Sequence, residues 1–429
     1  MTTVPLTNWA RNVRFRAEQL HRPSSIAELQ QLVSKSARVR ALGTGHSFNE
    51  IADTTGDLVS VAGLPTRLDI DAQARTVTVS GGTRFAELGR ELHQAGFAIP
   101  NTASLPHISV AGGCSTGTHG SGETVGNLSS FVSAVELVTA DGDLITCSRE
   151  TDPDRFDGTA VALGALGIVT ALTFDLVPTF HLRQDVYDGL AHESFLTHFD
   201  EIMAAGYSVS AFSTWREPRI QQIWVKSRTD PADNRPAAPT LHGASLATGE
   251  RHPLQAMSPE YTTPQLGVPG PWHERLPHFR AEFTPSAGEE IQSEYLLPRD
   301  RAVAALQALD DIAAGVATVL QVSEIRTVAA DELWLSPSHR RPTVCLHFTW
   351  IDDEAAIAPV IAAIEERLAA FDARPHWGKR FTVPPAEIAR LYPRLDDFRA
   401  LMGSLDPAGK FRNELIQRLI VGEPAMPLR

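Results

Sequence analysis

Two glycine-rich stretches hold the residue types best suited to chemistry. The first is Ala41-Leu42-Gly43-Thr44-Gly45-His46-Ser47-Phe48-Asn49, and the second runs from Ser104 to Gly122. Glycines let backbone N–H groups come close to an anion and form nests around phosphate. Neither stretch contains Lys or Arg, so backbone amides and Ser/Thr hydroxyls would have to hold a diphosphate there. The first stretch is no Rossmann fingerprint, because Phe48 stands where the third glycine belongs, and the chain has no Walker motif. On spacing alone, two tight turns in a packed sheet are an equal reading. His46 could likewise be a hydrogen-bonded turn residue or a reactive one.

A second constellation lies in Leu320-Gln321-Val322-Ser323-Glu324-Ile325-Arg326. Read as a strand, it puts Leu320, Val322, Glu324 and Arg326 on one face. That face carries two opposite charges among apolar residues. The pair fits either a surface ion pair on an edge strand or a dry pocket. In a pocket, a carboxylate would accept from hydroxyls of one ligand and a guanidinium would donate to them. On the next strand, Val344–Ile351, alternation puts Cys345, His347 and Thr349 on one face, opposite Val344, Leu346, Phe348 and Trp350.

The positioning elements follow from local signals. Ser25 and Glu28 form a capping box for a helix with Ile26, Leu29, Leu32 and Val33 on its apolar face. Strands are expected at Val39–Leu42, Leu58–Val61 and Thr76–Val79. A helix bearing Phe85, Leu88 and Leu92 should stop at Gly96. Ala140-Asp141-Gly142 joins strands Ser133–Thr139 and Asp143–Thr146 in a hairpin. From Thr229 to Phe279, where nine of the 29 prolines fall, the chain reads as a long irregular excursion over a surface. Beyond Glu290, strands alternate with amphipathic helices such as Ala302–Leu309 and Ala355–Leu368. The fold class is α+β in two domains.

Composition limits what these sites can serve. The chain has 429 residues, a formal net charge of −13, 43% apolar and 21% charged residues. That is globular composition with ample length for a core, and its acidity argues against a nucleic-acid partner. Cys114, Cys147 and Cys345 are too widely spaced for a zinc site or a disulfide framework and fit a reducing compartment. No metal is expected. The most apolar stretch, Ala302–Leu320, is cut by Asp310 and Asp311, so no membrane span is expected. The default is a soluble, cytoplasmic protein.

Gly43-Thr44-Gly45-His46-Ser47 closely resembles the flavin-attachment loop of the vanillyl-alcohol-oxidase-type covalent flavoproteins. The resemblance runs from Asn8 to Asn413, through Ser104–Ser109, Thr116–Gly120, Glu324–Arg326, His376–Lys379 and Asp406–Phe411. These segments are similar to the alditol oxidase branch, near the aldonolactone oxidases, and Pro269–Arg280 is similar to that branch specifically. The resemblance implies a PCMH/VAO-type FAD-binding domain (1–178 plus 385–429) and an α+β substrate domain (179–384) capping the isoalloxazine ring. It implies FAD bound covalently through its 8α-methyl to His46. The matching cofactor-binding positions are Ala41, Leu42, Gly43, Thr44, Gly45, Ser47, Ser104, Ser109, Gly112, Thr116, Gly117, Thr118, His119, Val169 and His376. Substrate contacts map to Ser104, Glu324, Arg326, Thr349 and Lys379, with Gln292 and His347 lining the same pocket. Cys114 reads as a small buried residue and Ala103 as a gate for oxygen.

The implied reaction oxidises the terminal CH2OH of a polyol such as xylitol or sorbitol, with O2 reduced to H2O2. Lys379 and Arg326 would lower the hydroxyl pKa and stabilise the reduced flavin, while Glu324 would orient the polyol or take its proton. An aldonolactone oxidase or dehydrogenase of the gulono or arabinono type is the alternative. A monomer is expected.

Overall fold

The computed structural model describes residues 6–230, 236–255, 257–282 and 289–422. The first helix spans Ile26–Lys35, and the Ser25 side chain accepts from Glu28 N as the capping box predicts. The Glu28 carboxylate reaches back one residue further, accepting from Ser24 N. The expected strands shorten or shift by a residue or two, to Val39–Ala41, Asp57–Val59 and Thr76–Ser80. The second of them ends early because Ser60 accepts from Ala62 N and starts a 3-10 turn over Val61–Gly63. The helix Phe85–Gln94 ends before Gly96, whose φ of +85° turns the chain as a glycine there can.

Strands Leu20–His21, Asp57–Val59 and Val39–Ala41 pair in parallel as one small sheet. A five-stranded antiparallel sheet follows, ordered Leu68–Asp71, Thr76–Ser80, Ile168–Asp175, Val132–Val138 and Leu144–Ser148. The glycine-rich stretches lie at strand and helix ends beside these two sheets.

A ten-stranded antiparallel sheet, all between His181 and Pro375, forms the other half. At its centre Arg219–Arg228, Ser208–Ser213, Leu320–Val328, Thr343–Ile351 and Glu290–Pro298 lie side by side. Helices Ala302–Asp310, Ala313–Val319 and Glu354–Leu368 cover one face, where Leu306, Leu309, Ile325, Leu346, Phe348, Trp350 and Ile361 pack. The two helices of the apolar stretch, taken from Arg299 to Val319, meet at 83°. Among the described residues, no single helix is long and apolar enough to cross a membrane. The proline-rich excursion is less irregular than expected. It adds short strands Thr240–Leu241, Ala244–Leu246 and Gly270–Pro271 to the sheet, although residues 231–235 and 256 lie outside the described residues.

One strand departs from simple alternation. A bulge between Leu320 and Val322 moves Leu320 to the helix-covered core with Ile325, leaving Val322, Glu324 and Arg326 on the open face. The expectation that Leu320 shares that face is therefore corrected.

After helices Pro385–Leu391 and Leu395–Leu405 the chain returns to the N-terminal sheets. The Lys410 ammonium donates to the carbonyls of Val33, Ser34 and Ala140, and Phe411 is buried with Leu29, Val33 and Val39. Asp406, fully buried, ties the turn by accepting from the backbone N–H of Lys410 (2.7 Å) and Phe411 (2.9 Å). Hydrogen bonds to a charged acceptor stabilise by about 1.5–3 kcal/mol. Asp406→Ala should accordingly lower the unfolding free energy by about 2–4 kcal/mol, and Asp406→Asn by about half of that. Urea unfolding reads both, and an unchanged midpoint in Asp406→Ala would remove this turn as the anchor of the tail.

Candidate active site

The open face of the large sheet and the glycine loops enclose one cavity of about 730 Å³. Its loop side is built for close approach. A Cβ at Gly43 would meet Ser109 Oγ at 2.7 Å, and one at Gly81 would meet Val169 O at 2.8 Å. Side chains are excluded there, which leaves backbone facing the cavity. The two loops are joined where Ser109 N donates to Thr44 Oγ1. The first loop is also fastened to the segment His376–Lys379. Phe48 N donates to Gly378 O at 2.7 Å, and Asn49 Nδ2 donates to the carbonyls of Trp377 and Lys379.

His46 stacks on Trp9 (centroids 5.3 Å apart) and pairs through Nδ1 with Thr44 Oγ1 at 3.0 Å. Burial pushes its pKa down to about 4, so the imidazole is neutral. A neutral ring keeps a lone pair, the form needed for a nucleophile.

The opposite wall is charged. Glu324, His347 and Glu294 sit side by side on three adjacent strands. Arg326 lies 2.5 Å from Glu294 and 3.6 Å from Glu324, and it donates to Ser104 Oγ at 3.3 Å. Lys379 Nζ donates to Gln292 Oε1 (2.9 Å) and His347 Nδ1 (2.8 Å), with Glu294 at 3.2 Å. Burial raises both carboxyl groups, but the neighbouring cations outweigh it. Arg326 and Lys379 hold Glu294 well below the usual range, and the Arg326 charge with the hydrogen bond from His278 does the same for Glu324. Lys379 is lowered by burial, and Glu294 offsets part of that. His347 falls to about 4 by burial, with Lys379 adding to the shift. A neutral His347 that accepts at Nδ1 carries its proton on Nε2, which faces Thr349 Oγ1 at 3.2 Å. The Thr349 hydroxyl hydrogen is then free for a ligand.

All but one of the sequence-predicted residues line this cavity. Ala41, Leu42, Gly43, Thr44, Gly45, His46, Ser47, Ser104, Ser109, Gly112, Thr116, Thr118, His119, Val169, Glu324, Arg326, Thr349, His376 and Lys379 are there, with Gln292, His347 and Ala103. Gly117 is not. Its φ is +67° and a Cβ would meet Pro337 at 3.1 Å, so it makes a packed turn behind the wall. Two features go beyond what the sequence shows. Glu324 and Arg326 are not an isolated pair, since Arg326 is nearer Glu294 and Glu324 is nearer His278, at 2.7 Å. Basic side chains are not absent either, because Arg22 and Arg84 line the loop end. Arg40 also lies there, but its guanidinium is spent on the carbonyls of Ile51, Leu163, Gly164 and Phe411.

Sequence reasoning missed Glu294 and His278. Glu294 could have been found by alternation from Gln292 along its strand. His278 lies in a proline-rich segment whose path no periodicity reveals. Glu294, His119 and Cys345 bring ligand atoms within 4.8 Å of one another, but Arg326 and Lys379 already occupy the Glu294 oxygens and would repel a metal ion.

Comparison with known proteins agrees with this geometry. A family profile described as FAD binding domain matches residues 17–148, and one described as D-arabinono-1,4-lactone oxidase matches residues 288–419. The chain is 53% identical over 420 residues to an alditol oxidase of Streptomyces sp. (strain IKD472 / FERM P-14339), covering 97% of this chain and 99% of the relative. It is 29% identical to L-gulono-1,4-lactone dehydrogenase of Mycobacterium tuberculosis, covering 96% and 98%. A crystal structure of cholesterol oxidase from B. sterolicum superposes with a TM-score of 0.77 at 14% identity, covering 97% and 96%, a likeness of fold alone.

Loss of the Glu294 charge should be costly, because it leaves two buried cations without their shared partner. Glu294→Gln is expected to lower stability by about 3–5 kcal/mol at neutral pH. The wild-type carboxyl sits below its unfolded value near 4.3, so its contribution is complete above about pH 5 and disappears as pH falls through the folded value. The gap between wild type and variant should therefore close in acid. Urea unfolding of the holoprotein between pH 3 and 7 measures it, and a constant gap would contradict the charge assignment.

Proposed function

Because the chain belongs to the alditol oxidase family of FAD-binding oxidoreductases, we propose that it oxidises the terminal CH2OH of a polyol such as xylitol or sorbitol to the aldose. The observation that carries the reading is the charge balance of the dry wall. Glu294, Glu324 and Glu290 are set against Arg326, Lys379 and the Lys226 ammonium behind His278, and the histidines between them are neutral. A balanced, hydrogen-bonding wall suits a neutral, hydroxyl-rich substrate, whereas an acid would call for excess positive charge.

The glycine loops, Ser109, Thr116, Thr118, His119, Val169 and His376 would hold FAD, with His46 covalently bound to its 8α-methyl. When bound, the flavin supplies the acceptor for the hydride and hands the electrons on to O2, giving H2O2. The protein side chains do the rest. Thr349 and Ser104 donate to or accept from substrate hydroxyls. Glu324, ionised and acceptor-only, orients the polyol. Lys379 and Arg326 favour the alkoxide as the hydroxyl proton leaves, and that proton, together with the hydride, is consumed in forming H2O2 from O2. Residues 1–178 with 385–429 form the flavin unit and 179–384 the cap. The same reading carries a cytoplasmic monomer that engages neither nucleic acid nor membrane.

Aldonolactone oxidation is the second reading, favoured by the lactone oxidase profile over residues 288–419. A peroxide-coupled assay over xylitol, sorbitol and a γ-lactone separates the two, and turnover of the lactone alone would overturn the first.

Two further outcomes follow. Acid-precipitated wild-type protein should stay yellow, while His46→Ala should release its flavin into the supernatant. Free flavin from wild type would refute the covalent bond. Lys379→Met should slow anaerobic flavin reduction by xylitol about a hundredfold, or about 3 kcal/mol, with cofactor content preserved. Normal reduction together with a lower melting temperature would make Lys379 merely structural.

A further inference from the structure

The segment Pro269–Arg280 has no role in the mechanism as described so far, yet its last residues reach the charged wall. His278 Nε2 lies 2.7 Å from Glu324 Oε1, and its Nδ1 lies 3.1 Å from Lys226 Nζ. Lys226 projects from strand Arg219–Arg228, two strands away from Glu324 in the sheet. Its ammonium also donates to the carbonyls of Leu276 and Pro277. Lys226, His278 and Glu324 are 1%, 4% and 6% exposed, so none of these bonds is shared with bulk water.

The protons can be placed from both ends. Glu324 is ionised and can only accept, so Nε2 must carry a hydrogen. Burial, with the Lys226 charge next, pushes His278 down to about 4, so the ring is neutral and Nδ1 is bare. A bare Nδ1 is what Lys226 requires, since an ammonium has three donors and no acceptor, and Leu276 O, Pro277 O and Nδ1 fill them. Burial brings Lys226 down to about 7 against the pull of Glu324, and the two carbonyl oxygens and Nδ1 around Nζ, all acceptors, favour its ammonium form. The ring is further held by edge contacts with Trp224 (5.2 Å) and Phe212 (5.7 Å), and Ser210 Oγ stands 3.4 Å from Nε2. The same segment grips the other side of the pocket, because the N–H groups of His278 and Phe279 both point at Ser104 O.

We propose that Lys226 and His278 are positioning residues that lock one imidazole tautomer, so that its Nε2–H holds one oxygen of Glu324 and leaves the other to accept a substrate hydroxyl. Lys379 and His347 set Thr349 in the same way on the neighbouring strand. The inference rests on the polyol-oxidising reading, and it assigns the Pro269–Arg280 segment the task of aiming the carboxylate. A carboxylate free to rotate would present hydroxyls to the reacting centre in several poses, and misplacement of about 1 Å can cost on the order of a hundredfold in rate.

Three variants of the holoenzyme test it on xylitol. His278→Leu breaks both bonds and should lose kcat/KM by on the order of a hundredfold with flavin content unchanged. His278→Gln can donate its amide N–H to Glu324 and accept from Lys226 at its oxygen, so it should recover most of the loss. Lys226→Met should fall between them. A structural role would instead lower the melting temperature of all three without rescue by Gln. Xylitol turnover by His278→Leu at the wild-type level overturns the proposal and leaves the polyol reading intact.

A second measurement needs no substrate and no stable Leu variant. In wild-type protein labelled with 15N-histidine, the resonance missing from His278→Gln should show a protonated Nε2 and a bare Nδ1. The opposite tautomer, or an imidazolium at neutral pH, overturns the proposal even if xylitol is turned over. If wild type is inert toward every polyol, the function reading fails, and the tautomer still decides the positioning chain by itself.

Discussion

Glu294 is the group on which the active-site wall depends. Two cations, Arg326 and Lys379, are held at the buried wall of the cavity, and neither could be buried there alone. One carboxylate, 1% exposed at its side chain, reaches both. Its place on the central strand Glu290–Pro298 puts it directly beside His347, with Glu324 one strand further. With Glu294 absorbing the charge of the cations, Glu324 need not close on Arg326. The 3.6 Å separation of that pair leaves Glu324 oriented by His278 and available to a ligand.

Such an arrangement needs a stiff support. Five long antiparallel strands fix the spacing of the wall at about 4.8 Å per strand. Leu346, Phe348, Trp350 and the covering helices load the opposite face with apolar contacts. The flavin-side loops are tied to the same wall at two points, Asn49 on the Trp377 and Lys379 carbonyls and Ser104 on His278 and Phe279. The two halves therefore share their alignment through hydrogen bonds to backbone carbonyls, one set donated by the Asn49 side-chain amide and the other by backbone N–H groups.

Much of this was legible in the sequence because the signals are local. The capping box at Ser25, the glycine after Gln94 and the alternation of Val344–Ile351 all report a near-neighbour geometry. The charged face of Glu324 and Arg326 was readable for the same reason, by period 2 alone. What was not legible depends on distant partners. The bulge at Leu320 follows from how the strand pairs with Thr343–Ile351, a partner distant in sequence. Glu294 looks like any polar residue of a strand until Lys379, 85 positions later, is folded over it. Gly117 sits within a cofactor-binding motif, yet packs behind the cavity because a turn there needs positive φ.

The fold leaves the choice of substrate to the wall. A sterol oxidase superposes over nearly the whole chain at 14% identity, so the scaffold itself is indifferent to what it oxidises. The L-gulono-1,4-lactone dehydrogenase is matched over 98% of its length at 29% identity. Discrimination between a polyol and a cyclic ester must come from how many fixed hydrogen-bonding groups face the ligand and how rigidly they are aimed. A linear polyol presents several hydroxyls, each able to donate and accept, and a buried acceptor with a fixed direction is worth most to such a ligand. An aldonolactone keeps ring and side-chain hydroxyls but adds a carbonyl and a ring oxygen that can only accept, so the two ligands differ in the number of donors they offer to a fixed carboxylate. Glu324, held at one oxygen by His278 and kept ionised by Arg326, meets any ligand in this cavity as an acceptor only.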